Sequence, residues 1–161
     1  MAASDLALLT LTYLREHANT AALRAMVQGG ADNIMESGDL TEVILTETIT
    51  ARRTAGVMTK ALAISVQDSG EEAIQDWHYA QYVTVRIFDR DRGYGNIRTV
   101  KQELIELLRG QFAEFPSGAK LGLMDCRLAD RTGHRYDKLF NVEYEAIRFR
   151  GVVLRAGGQS F

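Results

Sequence analysis

Residues 88–95, Phe-Asp-Arg-Asp-Arg-Gly-Tyr-Gly, hold the densest chemistry in the chain. Asp89 and Asp91 alternate with Arg90 and Arg92, and Gly93 and Gly95 follow at once. A calcium loop would use Asp89 and Asp91 at its first and third places. Its fifth, sixth and twelfth places then fall on Gly93, Tyr94 and Val100, where an oxygen ligand, a glycine and a bidentate glutamate belong. Too few oxygens remain for the roughly six to eight that calcium takes. A phosphate cradle would use the glycines to bring backbone amides against an anion at an electropositive helix start. Here the third glycine place of the dinucleotide motif holds Arg98, and no Gly-Lys-Ser/Thr occurs in the chain. The remaining reading is a strand, a glycine-bearing turn and a capped helix. Asp89, Arg90, Asp91 and Arg92 are then expected on an exposed strand end, free to pair with one another or with a neighbouring subunit.

A second group lies in residues 49–58, Ile-Thr-Ala-Arg-Arg-Thr-Ala-Gly-Val-Met, between two strand-like patterns. Arg52 and Arg53 precede Gly56, Val57 and Met58. The segment reads either as a flexible hairpin tip or as a protruding arm that reaches an adjoining subunit. Exposed apolar residues at a tip are unfavourable unless something covers them, which favours attention to the arm. The other reactive side chains are scattered. His17, His78 and His134 share no ligand spacing, and Cys126 has no histidine near it in sequence. Glu103 with Glu106, and Glu143 with Glu145, pair along single elements, but acid–base work needs an enclosed site. No Gly-x-Ser-x-Gly, His-Glu-x-x-His or Cys-x-x-Cys is present. The expectation is a protein with no catalytic residue, no metal and no cofactor.

The elements that hold these residues follow from periodicity and punctuation. Residues 4–28 read as helical, with Ser4 or Asp5 as cap and a break at Asn19-Thr20. A second short helix then ends at Gly29-Gly30, where glycine tolerates the left-handed conformation. Residues 31–40 read as a loop or a short irregular segment. Strand alternation appears at 41–50, 60–67 and 77–88, with 68–76 polar and turn-like. Ile97, Val100, Leu104, Leu107, Leu108 and Phe112 recur at helical spacing over 96–112, with Asn96 as cap. Strands at 119–128 and 138–150 close the chain as a hairpin, and 155–161 read as a mobile tail. The sum is an α+β fold, a mainly antiparallel sheet with helices packed on one face, in a single domain spanning 1–161.

Totals narrow the class further. Nineteen basic and 21 acidic residues leave a net charge of −2, without the overall basic excess of a typical nucleic-acid binder. One cysteine allows no internal disulfide. The N-terminal run is interrupted by Asp5, Arg15 and Glu16 and lacks a basic start, so neither a signal peptide nor a membrane span is expected. The chain reads as cytoplasmic.

Three segments give the chain its likeness to a known group. They are residues 10–35, helix, break, Thr-Ala-Ala-Leu and a glycine-ended helix; residues 79–112, the long strand leading into the amphipathic helix; and residues 121–151, the closing hairpin with its aromatic-rich last strand. In this layout the chain resembles the tail terminator, or tail completion, proteins of long-tailed bacteriophages. The resemblance implies a structural virion subunit without an active site, made in the host cytoplasm and built into the tail or neck. It implies assembly with itself into a homo-hexameric ring, and contact with the tail tube protein and the head–tail connector protein. It also implies DNA passing through the lumen without specific binding, and no membrane partner. Arg52, Arg53, Val57, Met58, Asp89, Arg90, Asp91 and Arg92 are the candidate interface residues. The alternatives are a head–tail connector or neck protein, a small-ligand-binding or regulatory α+β domain, and an enzyme built around His78, His134 and Glu143.

Overall fold

The structure is a computed structural model. It describes residues 6–37, 49–75, 78–90, 93–108, 123–131, 133, 135–138 and 141–154. Helix α1 (Leu6–Glu16) leads through a 3-10 turn (Ala18–Thr20) into α2 (Ala21–Ala25). A second 3-10 turn (Gly30–Asn33) opens onto strand β1 (Ile34–Glu36). Then come α3 (Ile49–Ala55), β2 (Ala63–Gln75), β3 (His78–Asp89), α4 (Gly93–Leu108), β4 (Leu123–Arg131), β5 (Arg135–Asp137) and β6 (Val142–Leu154).

The break after α1 falls where sequence places it, and side chains hold it. His17 Nδ1 accepts from the Asn19 amide at 3.0 Å and so caps the 3-10 turn. Its ring lies 4.9 Å from that of Tyr13, so this histidine is a packed cap. Thr20 Oγ1 donates to the Tyr13 and His17 carbonyls, and Arg24 Nη1 donates to those of Leu14 and His17. Donors from the 3-10 turn and from α2 thus reach the carbonyls at the end of α1 and just past it. Gly29, at φ 76°, and Gly30, at φ 60°, turn the chain in the left-handed region, as expected of the glycine pair.

Among the described residues six strands run in the order β1-β2-β3-β6-β4, with β5 also beside β6. Strands β1 and β2 pair in parallel, and the other pairs of these strands are antiparallel. Side chains alternate across a strand, so one face collects Ile34, Ile64, Val66, Val83, Val85, Ile87, Ile147 and Phe149. Leu6, Leu11, Tyr13 and Leu14 of α1, Leu23 of α2, and Ile97, Val100, Leu104 and Leu108 of α4 close over it. Burying each large apolar side chain contributes about 1.5–3 kcal/mol, and this layer is the main source of stability. The opposite face holds a smaller cluster of Met35, Leu62, Ala63, Phe88, Val142 and Tyr144, all from strands or loops. The architecture is the expected α+β class.

Several elements differ from expectation. Strand β2 runs on to Gln75 through the polar stretch read as a turn, because its backbone stays paired to β3 across register shifts at Asp68/Glu71 and Ala73/Gln75. Strand β1 occupies part of the segment read as irregular. Helix α4 starts at Gly93, three residues before the expected cap. Of the strand expected at 41–50, residues 49 and 50 belong to α3, and 41–48 lie outside the described residues. Phe112 and the tail 155–161 also lie outside them.

Candidate functional site

The charged strand end is built by three elements that meet at one corner. Asp89 closes β3, Arg52 lies midway along α3, and Asn96 sits in the first turn of α4. Arg52 Nη1 donates to Asp89 Oδ1 at 2.7 Å, and both side chains are fully buried. The same guanidinium donates to the Arg90 carbonyl at 3.0 Å, to the Lys60 carbonyl at 2.6 Å, and through Nε to Gln28 Oε1 at 2.9 Å. Asn96 Nδ2 donates to Asp89 Oδ2 at 2.7 Å and to the Met58 carbonyl at 2.9 Å. The Arg90 amide donates to Asp89 Oδ1 at 2.8 Å. Burial pushes the Asp89 carboxyl above its ordinary range, against the lowering pull of the Arg90 amide, the Arg52 charge and the Asn96 and Arg52 hydrogen bonds.

This geometry corrects two expectations. Asp89 is not on an exposed strand end, because α3 delivers Arg52 to cover it. Arg52, within the 49–58 segment read as an arm, is not offered to an adjoining subunit, because it ties its helix to β3 and to the 58–60 loop. Arg52 therefore turns its donors inward, while Arg53 is exposed and Val57 and Met58 are half-buried. Arg90 is half-buried, with Nε donating to the Asn141 carbonyl at 3.0 Å. Asp91 and Arg92 lie outside the described residues. Asn96, read in the sequence as a helix cap, is instead the polar link between α4 and Asp89. Its distance in sequence from Arg52 gave no local signal of that role. Chemically the corner is a clamp. The Asp89 oxygens are occupied by Arg52, Asn96 and the Arg90 amide, which leaves them poorly placed to take a proton from a substrate.

Elsewhere, Glu145 is buried on the helix side of β6, and Lys101 of α4 donates to it. Glu143 is half-buried and Glu106 exposed. His134 and the side chains of His78 and Cys126 lie outside the described residues. Among the described residues no group of three or more His, Cys, Asp or Glu side chains could hold a metal ion. Among the same residues no helix is long and apolar enough to cross a membrane. A cavity of about 330 Å³ opens between α1 and the β1–β2 edge, lined by Ala7, Leu8, Glu36, Val66 and Asp68 among others.

No protein-family model and no curated protein matches the chain. Its fold does match that of a chain in the virion of a native gene transfer agent (GTA) particle, at a TM-score of 0.59 and 11% identity. The two chains share a fold. The alignment covers 91% of this chain and 94% of that one, so the likeness includes both the helical start and the closing strands.

Proposed function

We propose that this protein is a structural subunit of a phage-like particle, a tail terminator that closes into a hexameric ring on the end of the tail tube and presents the surface for head joining. The observation that carries this reading is the near end-to-end fold likeness to a virion chain of a gene transfer agent. The Asp89 oxygens are held by Arg52, Asn96 and the Arg90 amide, which is in keeping with a structural role for this corner. The partners on this reading are further copies of the chain, the tail tube and the head–tail connector, with DNA passing through the lumen without specific binding. Arg53 is the exposed member of the original interface set among its described residues.

Native mass of the purified chain, with negative-stain images of any large species, tests the reading. A ring with a central hole, formed alone or on purified tail tubes, is the expected result. Failure to form a ring under both conditions overturns it. Preference for portal-bearing heads over tail tubes would make the chain a connector instead.

A further inference from the structure

The sheet face turned away from the helices carries a compact group of guanidinium side chains. Alternation places Tyr82, Thr84 and Arg86 of β3 on that face with Ala146, Arg148 and Arg150 of β6. The register sets Tyr82 opposite Arg150, Thr84 opposite Arg148 and Arg86 opposite Ala146. Arg86, Arg148 and Arg150 thus surround Thr84 and Ala146, and all three are partly exposed. Next along the sheet, β4 sets Arg127 opposite Arg150 and Asp130 opposite Arg148 in register.

The described partners of this group do not neutralise it. Arg86 donates to Gln67 Oε1. Arg148 lies over the Tyr82 ring, with Cζ 4.0 Å from the ring centroid. The Tyr82 hydroxyl in turn donates to Glu72 Oε2 at 3.2 Å. The two ion pairs described, Arg52–Asp89 and Lys101–Glu145, involve none of Arg86, Arg148 and Arg150. Like charges on neighbouring strands repel, so such a group is unfavourable unless an anion answers it. The chain as a whole carries −2, so this is a local positive field on a slightly acidic molecule.

The kind of anion follows from what the face lacks. Protein anchors, arginine and tyrosine included, sit in well-packed pockets, and the cavity described above lies beside α1 on the other side of the sheet. The exposed large hydrophobics among the described residues are Leu8 and Tyr136. Leu8 belongs to α1 on the other side of the sheet, and Tyr136 pairs with Glu143, in the alternation of the helix-covered face. What remains is a pleated surface of planar forks, the shape that binds phosphate oxygens two at a time. We infer that Arg86, Arg148 and Arg150 form a sequence-independent binding face for the phosphodiester backbone of a nucleic acid. This goes beyond the ring reading and stands without it, since a single copy carries the whole face.

Fluorescence anisotropy of the full chain with labelled random-sequence duplex DNA, titrated across salt, tests the inference. The parent should bind, with log affinity falling linearly against log salt. Replacing all three arginines, Arg86→Gln with Arg148→Gln and Arg150→Gln, should weaken low-salt binding about tenfold or more and flatten the slope by about 2–3. The corresponding triple lysine variant keeps the charge and should keep most of the binding. Arg15→Gln with Arg98→Gln, on the helix layer, should change neither quantity. Arg150→Gln alone, which removes no hydrogen bond described here, should flatten the slope by about 1 and decides the matter if the triple variant melts early. A parent that ignores DNA overturns the inference. So does a triple glutamine variant that binds like the parent, or poly-glutamate bound as tightly as DNA, which would mean an acidic protein partner. Loss of ring formation with DNA binding intact counts against the ring reading alone.

Discussion

Arg52 and Asp89, 37 positions apart, form an ion pair in which both side chains are fully buried. The pair joins α3 to the end of β3, and the remaining guanidinium donors reach the chain on either side. Taking two charges out of water is unfavourable, so such a pair is retained only where geometry and further hydrogen bonds compensate. Here they do: the arginine also bonds Gln28 and two carbonyls, and the aspartate also accepts from Asn96 and a backbone amide.

Removing one partner leaves the other as an unpaired buried charge. Arg52→Met is expected to destabilise the fold by about 3–5 kcal/mol in urea titrations. Arg53→Met, one residue on but exposed, should stay within about 0.5 kcal/mol of the parent. An assembly test in this segment therefore belongs at Arg53, because charge reversal at Arg52 acts on folding first.

Because burial raises the Asp89 carboxyl above its ordinary 3.8, the folded chain holds that proton more tightly than the unfolded one does. Acid then favours folding between the two values, and the advantage is lost as pH rises through the folded one. Asp89→Asn cannot titrate. The stability of the parent relative to Asp89→Asn should therefore increase as pH falls from neutral towards 3.8. A relative stability that decreases instead would show that the Arg52 attraction outweighs desolvation.

Leu104 is fully buried under the sheet, in the middle of the apolar stripe of α4. Leu104→Ala should cost about 2–5 kcal/mol, read from the denaturation midpoint at unchanged slope. Leu107 is only partly buried, and its alanine variant should cost less.

Glu145 shares a sheet row with Ile87 and is answered by Lys101. Lys101→Met should destabilise by about 1–3 kcal/mol by stranding the carboxylate. Adding Glu145→Leu should recover part of that loss, since an apolar pair suits the row. Thermal melts of the two single variants and the double variant close the cycle.

The parts of the fold legible in sequence are those decided by local pattern. The Asn19-Thr20 break, the Gly29-Gly30 ending, β3 and the stripe from Ile97 to Leu108 each carry their cause within a few neighbours. Helix α3 does not. Ile-Thr-Ala-Arg-Arg-Thr-Ala has no apolar periodicity, and what ties it to the body is a side chain whose partner lies 37 residues on. Strand β1 was hidden for a similar reason. It is three residues long, and its partner residues Ile64–Val66 come 30 positions later. The far half of β2 reads as a turn because Asp-Ser-Gly-Glu-Glu is polar, yet pairing with β3 keeps it extended. The candidate site divides the same way. Spacing singled out Arg52 and Asp89 separately as surface residues, and only the folded chain makes them each other's partner. The arginines at 86, 148 and 150 were visible as letters, but the register that gathers them is a property of the sheet.

Strand β6 is held on both edges, by β3 along its whole length from Glu143 to Leu154 and by β4 and β5 on the other side. A pull on Leu154 directed along the strand would load these ladders side by side, so their hydrogen bonds would share the force instead of opening in turn. Strand β6 is thereby mechanically tough, able to bear tension, whereas a pull across β1 would meet three paired residues among those described.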